Sequence, residues 1–210
     1  MKSLNIAVIG ECMVELQKKE GQLKQSFGGD TLNTALYLSR LTKAHDIKTS
    51  YVTALGNDPF SQEMLSAWQE EGIDTSLVLS VKERQPGIYY IETDETGERY
   101  FHYWRNEAAA KFLFEQNESP LLVDKLYSYD AVYLSGITLA ILTEEGKTQL
   151  FGFLERLRHK VVRLFSITTT VLNCGKAARM PCLGTLRSLS TQISHCSHLK
   201  MSKCFTVTSI

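Results

Sequence analysis

The 210-residue chain has 43% hydrophobic and 22% charged residues, which is typical of a globular protein and excludes disorder throughout. The apolar run at the N-terminus is shorter than the core of a signal peptide, and no later segment is as apolar as a membrane span, so we expect a cytoplasmic protein without a membrane partner. The 23 basic and 23 acidic residues balance, but residues 161–210 hold six basic residues and no acidic one, which indicates a change of character near residue 160.

The first 160 residues alternate between strand-like and helix-like patterns. The strand-like segments are apolar or alternating, rich in β-branched residues, and most of them end in glycine or a polar turn: residues 5–10, 12–16, 49–55 and 131–136. The helix-like segments carry apolar residues on one face: residues 31–41, 59–71, 120–126 and 143–160. Strands and helices in alternation predict an α/β fold with a parallel sheet.

A polar pocket is predicted where the segment Phe27–Ala35 enters its helix. The glycine pair in this segment lets a ligand approach the backbone, and Asp30 or Thr31 is expected to cap the helix. Asp30 and Asn33 lie one helical turn apart, so both side chains can face one ligand. A carboxylate and an amide are suited to the hydroxyls of a sugar-like molecule. The alternative interpretation is an ordinary capped Gly-Gly turn.

An aromatic β-hairpin is predicted over residues 86–105, where it interrupts the alternation of strands and helices. Side chains two residues apart in a strand share a face, so Tyr103 lies on the same side of its strand as Arg105. With Tyr89 from the first strand, one face can offer two phenols and a guanidinium. A guanidinium binds a carboxylate through two parallel hydrogen bonds. The alternative is a half-buried sheet with a solvated arginine.

Two nucleotide-binding motifs are excluded. Residues 145–148 are similar to the end of a P-loop, but Ile141 occupies a position where that motif requires glycine. Gly10 follows a predicted strand, yet the second and third glycines of a dinucleotide fingerprint are missing.

Six short motifs stand in a recognisable order between Asn5 and about Lys160. They are Ile9–Glu11, Phe27–Asn33, Tyr51–Gly56, Pro86–Ile91, Tyr103–Lys111 and Leu134–Ile137. Through them the chain resembles the ribokinase-like (PfkB-type) carbohydrate kinases, and within that family the kinases of the sugar acid 2-keto-3-deoxygluconate. The resemblance implies a sheet with helices on both faces, and a small β-lid formed by about residues 12–28 and 86–105.

The resemblance also implies where a small sugar-acid substrate is bound. The implied substrate-binding residues are Gly29, Asp30, Thr31, Leu32, Asn33, Tyr89, Tyr103, Trp104 and Arg105. Asp30 and Asn33 would contact the sugar hydroxyls, and Tyr89 would lie against the substrate from the lid. Tyr103 and Arg105 would hold the carboxylate. A homodimer through the β-lid is a further implication.

The implied reaction is transfer of the γ-phosphoryl group of ATP, with Mg²⁺, to the terminal hydroxyl of 2-keto-3-deoxygluconate. The family takes its catalytic base from a C-terminal Gly-Asp segment, whereas no Asp or Glu follows Glu155 here. We therefore expect a truncated, inactive chain that lacks the C-terminal half of the family fold, with no catalytic residue and no productive ATP or Mg²⁺ site. The alternatives are a kinase of another sugar, such as fructose or ribose, and a non-catalytic sugar-acid-binding module.

Residues 161–210 are predicted to be a non-native, disordered tail. The family continues here with a strand such as Gly-Gly-Lys-Val-Ile-Phe-Asp-Asn-Asn-Tyr-Arg-Pro. If each codon of Val161–Leu172 is read one nucleotide earlier, all twelve positions can encode this family strand. We therefore expect one nucleotide to have been lost. The alternatives are a basic nucleic-acid-binding extension and a Cys/His metal site with His195 and His198, but neither has a recognised spacing. We expect no nucleic-acid partner and no bound metal.

Overall fold

The computed structural model describes residues 3–157 and the backbone of residues 163–167 and 207–209. The strands are Leu4–Ile9 (β1), Met13–Lys19 (β2), Gln22–Gly28 (β3), Ile47–Leu55 (β4), Val78–Ser80 (β5), Gly87–Thr93 (β6), Arg99–Trp104 (β7), Ala131–Ser135 (β8), Arg163–Ile167 (β9) and Val207–Ser209 (β10). The helices are Asp30–Thr42 (α1), Pro59–Glu70 (α2), Ser119–Leu126 (α3), Gly136–Ile141 (α4) and Glu144–Leu157 (α5), with a 3₁₀ helix over Ala109–Glu115. None of the helices in this described part of the chain is both long and apolar enough to span a bilayer.

The larger sheet has the strand order β10-β9-β8-β1-β4-β5. Its pairs are parallel from β9 to β5, and β10 joins the edge antiparallel to β9. Successive residues of β1 face opposite sides: Ile9 packs in one hydrophobic cluster with α3 and α5, and Val8 packs in another with α1 and α2. Burial of both faces explains why the second half of this strand is uniformly apolar. The predicted α/β fold with helices on both faces of the sheet is confirmed.

The smaller sheet has the strand order β3-β2-β6-β7. Two antiparallel hairpins, β2–β3 and β6–β7, are joined by parallel pairing of β2 with β6. It consists of the two segments that the resemblance assigns to a lid, and we call it the lid. Strand β3 is not among the strand-like segments predicted above, because its first five residues are exposed and largely polar.

The chain after residue 160 contributes two short strands to the larger sheet. Arg163–Ile167 pairs with β8 in parallel, and Val207–Ser209 pairs with Arg163–Ile167. These two segments pair within the larger sheet, while the prediction that residues 161–210 form a non-native tail stays a prediction. An unpaired edge of β8 would leave backbone N–H and C=O groups without partners, and an apolar run close in sequence satisfies them. The rest of the predicted tail lies outside the described residues.

Candidate functional site

The floor of the candidate site is formed where the C-terminal end of β1 meets the N-terminus of α1. A Cβ atom at Gly10 would overlap the side chain of Thr31, and a Cβ at Gly29 would overlap the carbonyl oxygen of Glu11. The hydroxyl groups of Thr31 and Tyr51 are hydrogen-bonded at 2.9 Å. Because no side chain separates the two backbones, the first turn of α1 is fixed directly against the residues that follow β1.

The first turn of α1 presents Asp30 and Asn33 as predicted, but the helix is capped differently. The helix begins at Asp30, so Gly29 occupies the N-cap position and provides no side-chain cap. Asp30 Oδ1 instead accepts the Thr31 backbone N–H at 2.8 Å. The expectation that Asp30 or Thr31 caps the helix is wrong because the helix starts one residue earlier than predicted. Asp30 is half-buried and the Asn33 side chain is exposed, so both can be reached by a ligand.

Two of the predicted substrate-binding residues have side chains in the core. Thr31 is fully buried at the contact between β1 and α1, and Leu32 packs with Trp68 and Met64 in the hydrophobic cluster beneath α1 and α2. Adjacent helical positions point in different directions, so residues 31 and 32 cannot share the exposed side of Asn33. Their side chains stabilise the first turn rather than face a ligand.

The lid brings three of its four predicted residues onto one face. Tyr89 and Tyr103 are directly opposite each other in the β6–β7 pair, with ring centroids 5.9 Å apart. Arg105 follows two residues after Tyr103 and contacts Glu11 on the same side. Trp104 pairs with Ile88, and because side chains alternate along a strand it lies on the opposite face. Trp104 is therefore separated from the pocket-facing group.

Tyr89 is held in place by the neighbouring strand. Its hydroxyl donates a hydrogen bond to Glu15 Oε2, and Ser26 Oγ donates to the other oxygen of that carboxylate at 3.0 Å. Burial, and then the hydrogen bond to Glu15, raise the pKa of Tyr89 above its ordinary value. A Cβ at Gly28 would overlap the Tyr89 hydroxyl, so a larger residue at this end of β3 would displace the phenol. The phenol is a protonated donor in a fixed position.

A buried carboxylate that the sequence analysis does not include in the site lies next to Arg105. Glu11 Oε2 accepts a hydrogen bond from Arg105 Nη2, and only 3% of the Glu11 side chain is exposed, against 21% of Arg105. Burial raises the pKa of Glu11 to about 6, although the charge and hydrogen bond of Arg105 lower it and the charge of Asp30 raises it. Glu11 lies two residues after the end of β1, and this position carried a signal, since ligands of open α/β sheets bind beyond the carboxyl ends of the strands.

No cluster of three or more His, Cys, Asp and Glu side chains able to hold a metal ion is found among the residues that the structure describes. The residues described above form a polar, partly aromatic site with one guanidinium. Its parts are the first turn of α1, the Tyr89–Tyr103 face of the lid, and the Glu11–Arg105 pair.

The parallel sheet, with a four-stranded lid over one helix N-terminus, defines a ribokinase-like α/β protein. The model of the pfkB family carbohydrate kinases matches residues 3–177. The chain belongs to the pfkB family of carbohydrate kinases.

Curated relatives agree with this assignment. The chain is 53% identical over 156 residues to the 2-dehydro-3-deoxygluconokinase of Escherichia coli strain K12, a match that covers 74% of this chain and 50% of the relative. It is 49% identical over 158 residues to the 2-dehydro-3-deoxygluconokinase of Dickeya dadantii strain 3937, covering 75% of this chain and 51% of that protein. The chain thus spans about half the length of the curated relatives it matches.

A solved structure supports the fold. The crystal structure of 2-dehydro-3-deoxygluconokinase from Thermotoga maritima superposes with a TM-score of 0.65 at 22% sequence identity. The match covers 77% of this chain and 49% of that one. At this identity the likeness concerns the fold alone.

Proposed function

We propose that this chain carries the sugar-acid-binding part of a kinase that phosphorylates the terminal hydroxyl of 2-keto-3-deoxygluconate. The observation that carries the proposal is the position of Arg105. It lies on the same face of the lid as Tyr89 and Tyr103, beside the first turn of α1, where Asp30 and Asn33 are accessible. A neutral sugar has no group that requires a guanidinium, whereas the carboxylate of a sugar acid does.

The polar groups of the site match the chemistry of such a substrate. Asp30 can accept hydrogen bonds from sugar hydroxyls, and the Asn33 amide can both accept and donate. The adjacent phenol rings of Tyr89 and Tyr103 offer an apolar wall for the carbon chain. The curated relatives that are 46–53% identical to this chain are all 2-dehydro-3-deoxygluconokinases, and that name is a synonym for a kinase of the same sugar acid.

Isothermal titration with 2-keto-3-deoxygluconate tests the proposal. Arg105→Ala should weaken binding by about 10- to 150-fold, because a hydrogen-bonded charge contributes roughly 1.5–3 kcal/mol. The matched control is Arg40→Ala, which removes an arginine paired with Glu71 on the exposed surface of α1 and should leave the affinity unchanged. Equal affinity of the wild type and Arg105→Ala would contradict the proposal. Tighter binding of fructose or ribose than of the sugar acid would favour a kinase of another sugar.

We further propose that the 210-residue chain does not catalyse the reaction by itself. Proton abstraction from the attacking hydroxyl needs a base, and residues 156–210 contain no carboxylate side chain. On this proposal, the full-length kinase uses ATP and Mg²⁺ and acts in the cytoplasm. A coupled assay of ADP release on the purified chain should show no turnover with the sugar acid. Turnover that survives repurification and is lost in Asp30→Ala would contradict this part of the proposal.

The tail provides the genetic part of the same proposal. The codons of residues 161–172 are compatible at all twelve positions with a family strand one frame away, which supports the loss of a single nucleotide. Determination of the nucleotide sequence between the codons for Arg158 and Leu172 tests this. Restoring one base should open a frame that encodes the family strand and, further on, a Gly-Asp segment. An early stop codon in that frame would contradict it.

A homodimer through the lid is also proposed. Every residue of β7 is exposed, and four of them are large aromatics: Tyr100, Phe101, Tyr103 and Trp104. An exposed edge strand with an aromatic surface is suited to association with a second copy. Sedimentation equilibrium should show a dimer that Trp104→Glu converts to a monomer, since this side chain is 62% exposed and faces away from the pocket. A wild-type chain that is monomeric at micromolar concentration would contradict the dimer.

A further inference from the structure

Glu11 contacts the guanidinium that, in the proposed sugar-acid site, would bind the substrate carboxylate. It accepts a hydrogen bond from Arg105 Nη2, the same guanidinium on which the proposed binding of a sugar acid depends. Gly87 lies beside this pair, since a Cβ added there would be 3.0 Å from both Glu11 Oε1 and Arg105 Cβ. Only 3% of the Glu11 side chain and 21% of the Arg105 side chain are exposed, so the pair is largely buried.

The charged and titratable groups around Glu11 come from four elements. Arg105 at the end of β7 supplies the positive charge, and Asp30 at the start of α1 adds a negative one. Cys12, which precedes β2, and Tyr51 in β4 are both buried close enough for the charge of Glu11 to raise the pKa of each group. Burial itself is the largest cause of the raised pKa of Glu11, which is about 6.

The arrival of a sugar acid would bring a second carboxylate to the Arg105 guanidinium. Two carboxylates that share one site cannot both remain ionised without strong repulsion, and one of them takes up a proton. Only 3% of the Glu11 side chain is exposed, and the charge of Asp30 already opposes its ionised form, so Glu11 is the carboxylate expected to take up the proton. Protonated Glu11 also keeps an oxygen that can accept the hydrogen bond from Arg105.

On the basis of the proposed sugar-acid site, we propose that Glu11 is a specificity-determining residue. It binds Arg105 in the free chain, and it takes up a proton from solvent when a substrate carboxylate binds to Arg105. A neutral sugar brings no second negative charge, so its binding would leave Glu11 ionised. The affinity for a sugar acid should therefore depend on pH, whereas the affinity for a neutral sugar should not. Glu11 acts through Arg105 and is a positioning residue, not a catalytic one.

The test is isothermal titration of the full chain with 2-keto-3-deoxygluconate at pH 6, 7 and 8, in two buffers of different ionisation enthalpy. The wild type should take up about one proton per ligand at pH 8, and its dissociation constant should rise about tenfold per pH unit above pH 6. Glu11→Gln is permanently neutral, so it should show no proton uptake and should bind up to about 100-fold more tightly than the wild type at pH 8. Glu71→Gln removes the carboxylate of another Arg–Glu pair, on the exposed surface, and should behave as the wild type.

The outcomes separate this inference from the proposed function. Binding by the wild type without proton uptake, or a Glu11→Gln variant that keeps the wild-type pH dependence, would overturn the inference while leaving the sugar-acid site in place. No measurable binding of the sugar acid at any pH by the wild type would overturn both. The wild-type proton uptake needs no variant, so a folding defect in Glu11→Gln would not remove the test.

Discussion

The buried Glu11–Arg105 pair leads to a prediction about stability in the absence of any ligand. Glu11→Gln replaces a carboxylate by a neutral group of the same shape. In the wild type, burial raises the pKa of Glu11 from 4.5 to about 6, so the folded state favours the protonated form. A shift of that size corresponds to about 2 kcal/mol, because one pKa unit is worth about 1.4 kcal/mol. At pH 8 the ionised carboxylate therefore destabilises the folded chain by about 2 kcal/mol relative to its neutral form.

The sign of the pH dependence follows from proton binding. Between pH 4.5 and 6 the folded state binds more protons at Glu11 than the unfolded state does, so the free energy of unfolding falls as pH rises through this window. Glu11→Gln lacks this pH-dependent contribution to the free energy of unfolding. The variant should thus be more stable than the wild type by about 2 kcal/mol at pH 8, and by less than about 1 kcal/mol at pH 5.

Urea denaturation followed by circular dichroism at both pH values measures the difference. The control is Glu71→Gln. The hydrogen bond from Arg40 is the largest cause of the lowered pKa of Glu71, so the folded chain favours the ionised form of this carboxylate. Loss of this exposed pair should therefore not stabilise the chain at pH 8. Burial raises the pKa of Glu11 more than the charge and hydrogen bond of Arg105 lower it, so the neutral form of Glu11 is favoured in the folded chain. A Glu11→Gln variant less stable than the wild type at pH 8 would refute this reasoning.

Three further predictions concern the floor of the site. Gly29→Ala should cost about 1–3 kcal/mol of unfolding free energy because the new methyl group overlaps the Glu11 carbonyl oxygen. The control is Gly152→Ala on α5, where the methyl group would enter open space and should stabilise the chain by about 0.5–1 kcal/mol. A neutral Gly29→Ala variant in urea denaturation would contradict the close packing. Thr31→Val should cost about 1–3 kcal/mol in the same assay, because it leaves the buried Tyr51 hydroxyl without its partner, and an unchanged midpoint would argue against that bond. Burial raises the pKa of the Cys12 thiol well above its ordinary value, so this thiol should not react with maleimide in the native chain. Peptide mass spectrometry should find Cys12 unmodified in the native chain and modified in urea. Rapid labelling of the native chain would contradict the burial of Cys12.

The central strands and the main helices could be predicted because burial on two faces makes their patterns strong. β1 and β8 are mostly apolar, and the predicted bounds differ from the observed ones by about one residue. β3 lies at the edge of the lid with one face and most of its length in solvent, so its sequence carries no apolar alternation. β5 has only three residues, too few for a periodic pattern. The strand signal fails where burial is slight.

The candidate site was predictable in its types of residue but not in its pairing. The period of two along β7 correctly places Tyr103 and Arg105 on one face, and the same period excludes Trp104 from it. Glu11 and Arg105 are 94 positions apart, and nothing local in the sequence indicates that the two side chains meet. That contact depends on the lid folding over the end of β1, which is a property of the tertiary structure.

A crystal structure of the chain with 2-keto-3-deoxygluconate would test the central claim most directly. The account predicts the ligand beneath the lid, with its carboxylate within about 3 Å of the Arg105 guanidinium. Its hydroxyls should then lie at hydrogen-bond distance from Asp30 and Asn33. A ligand bound elsewhere, or one that turns its hydroxyls toward Arg105 and its carboxylate toward Asp30, would contradict the assignment of this pocket to a sugar acid.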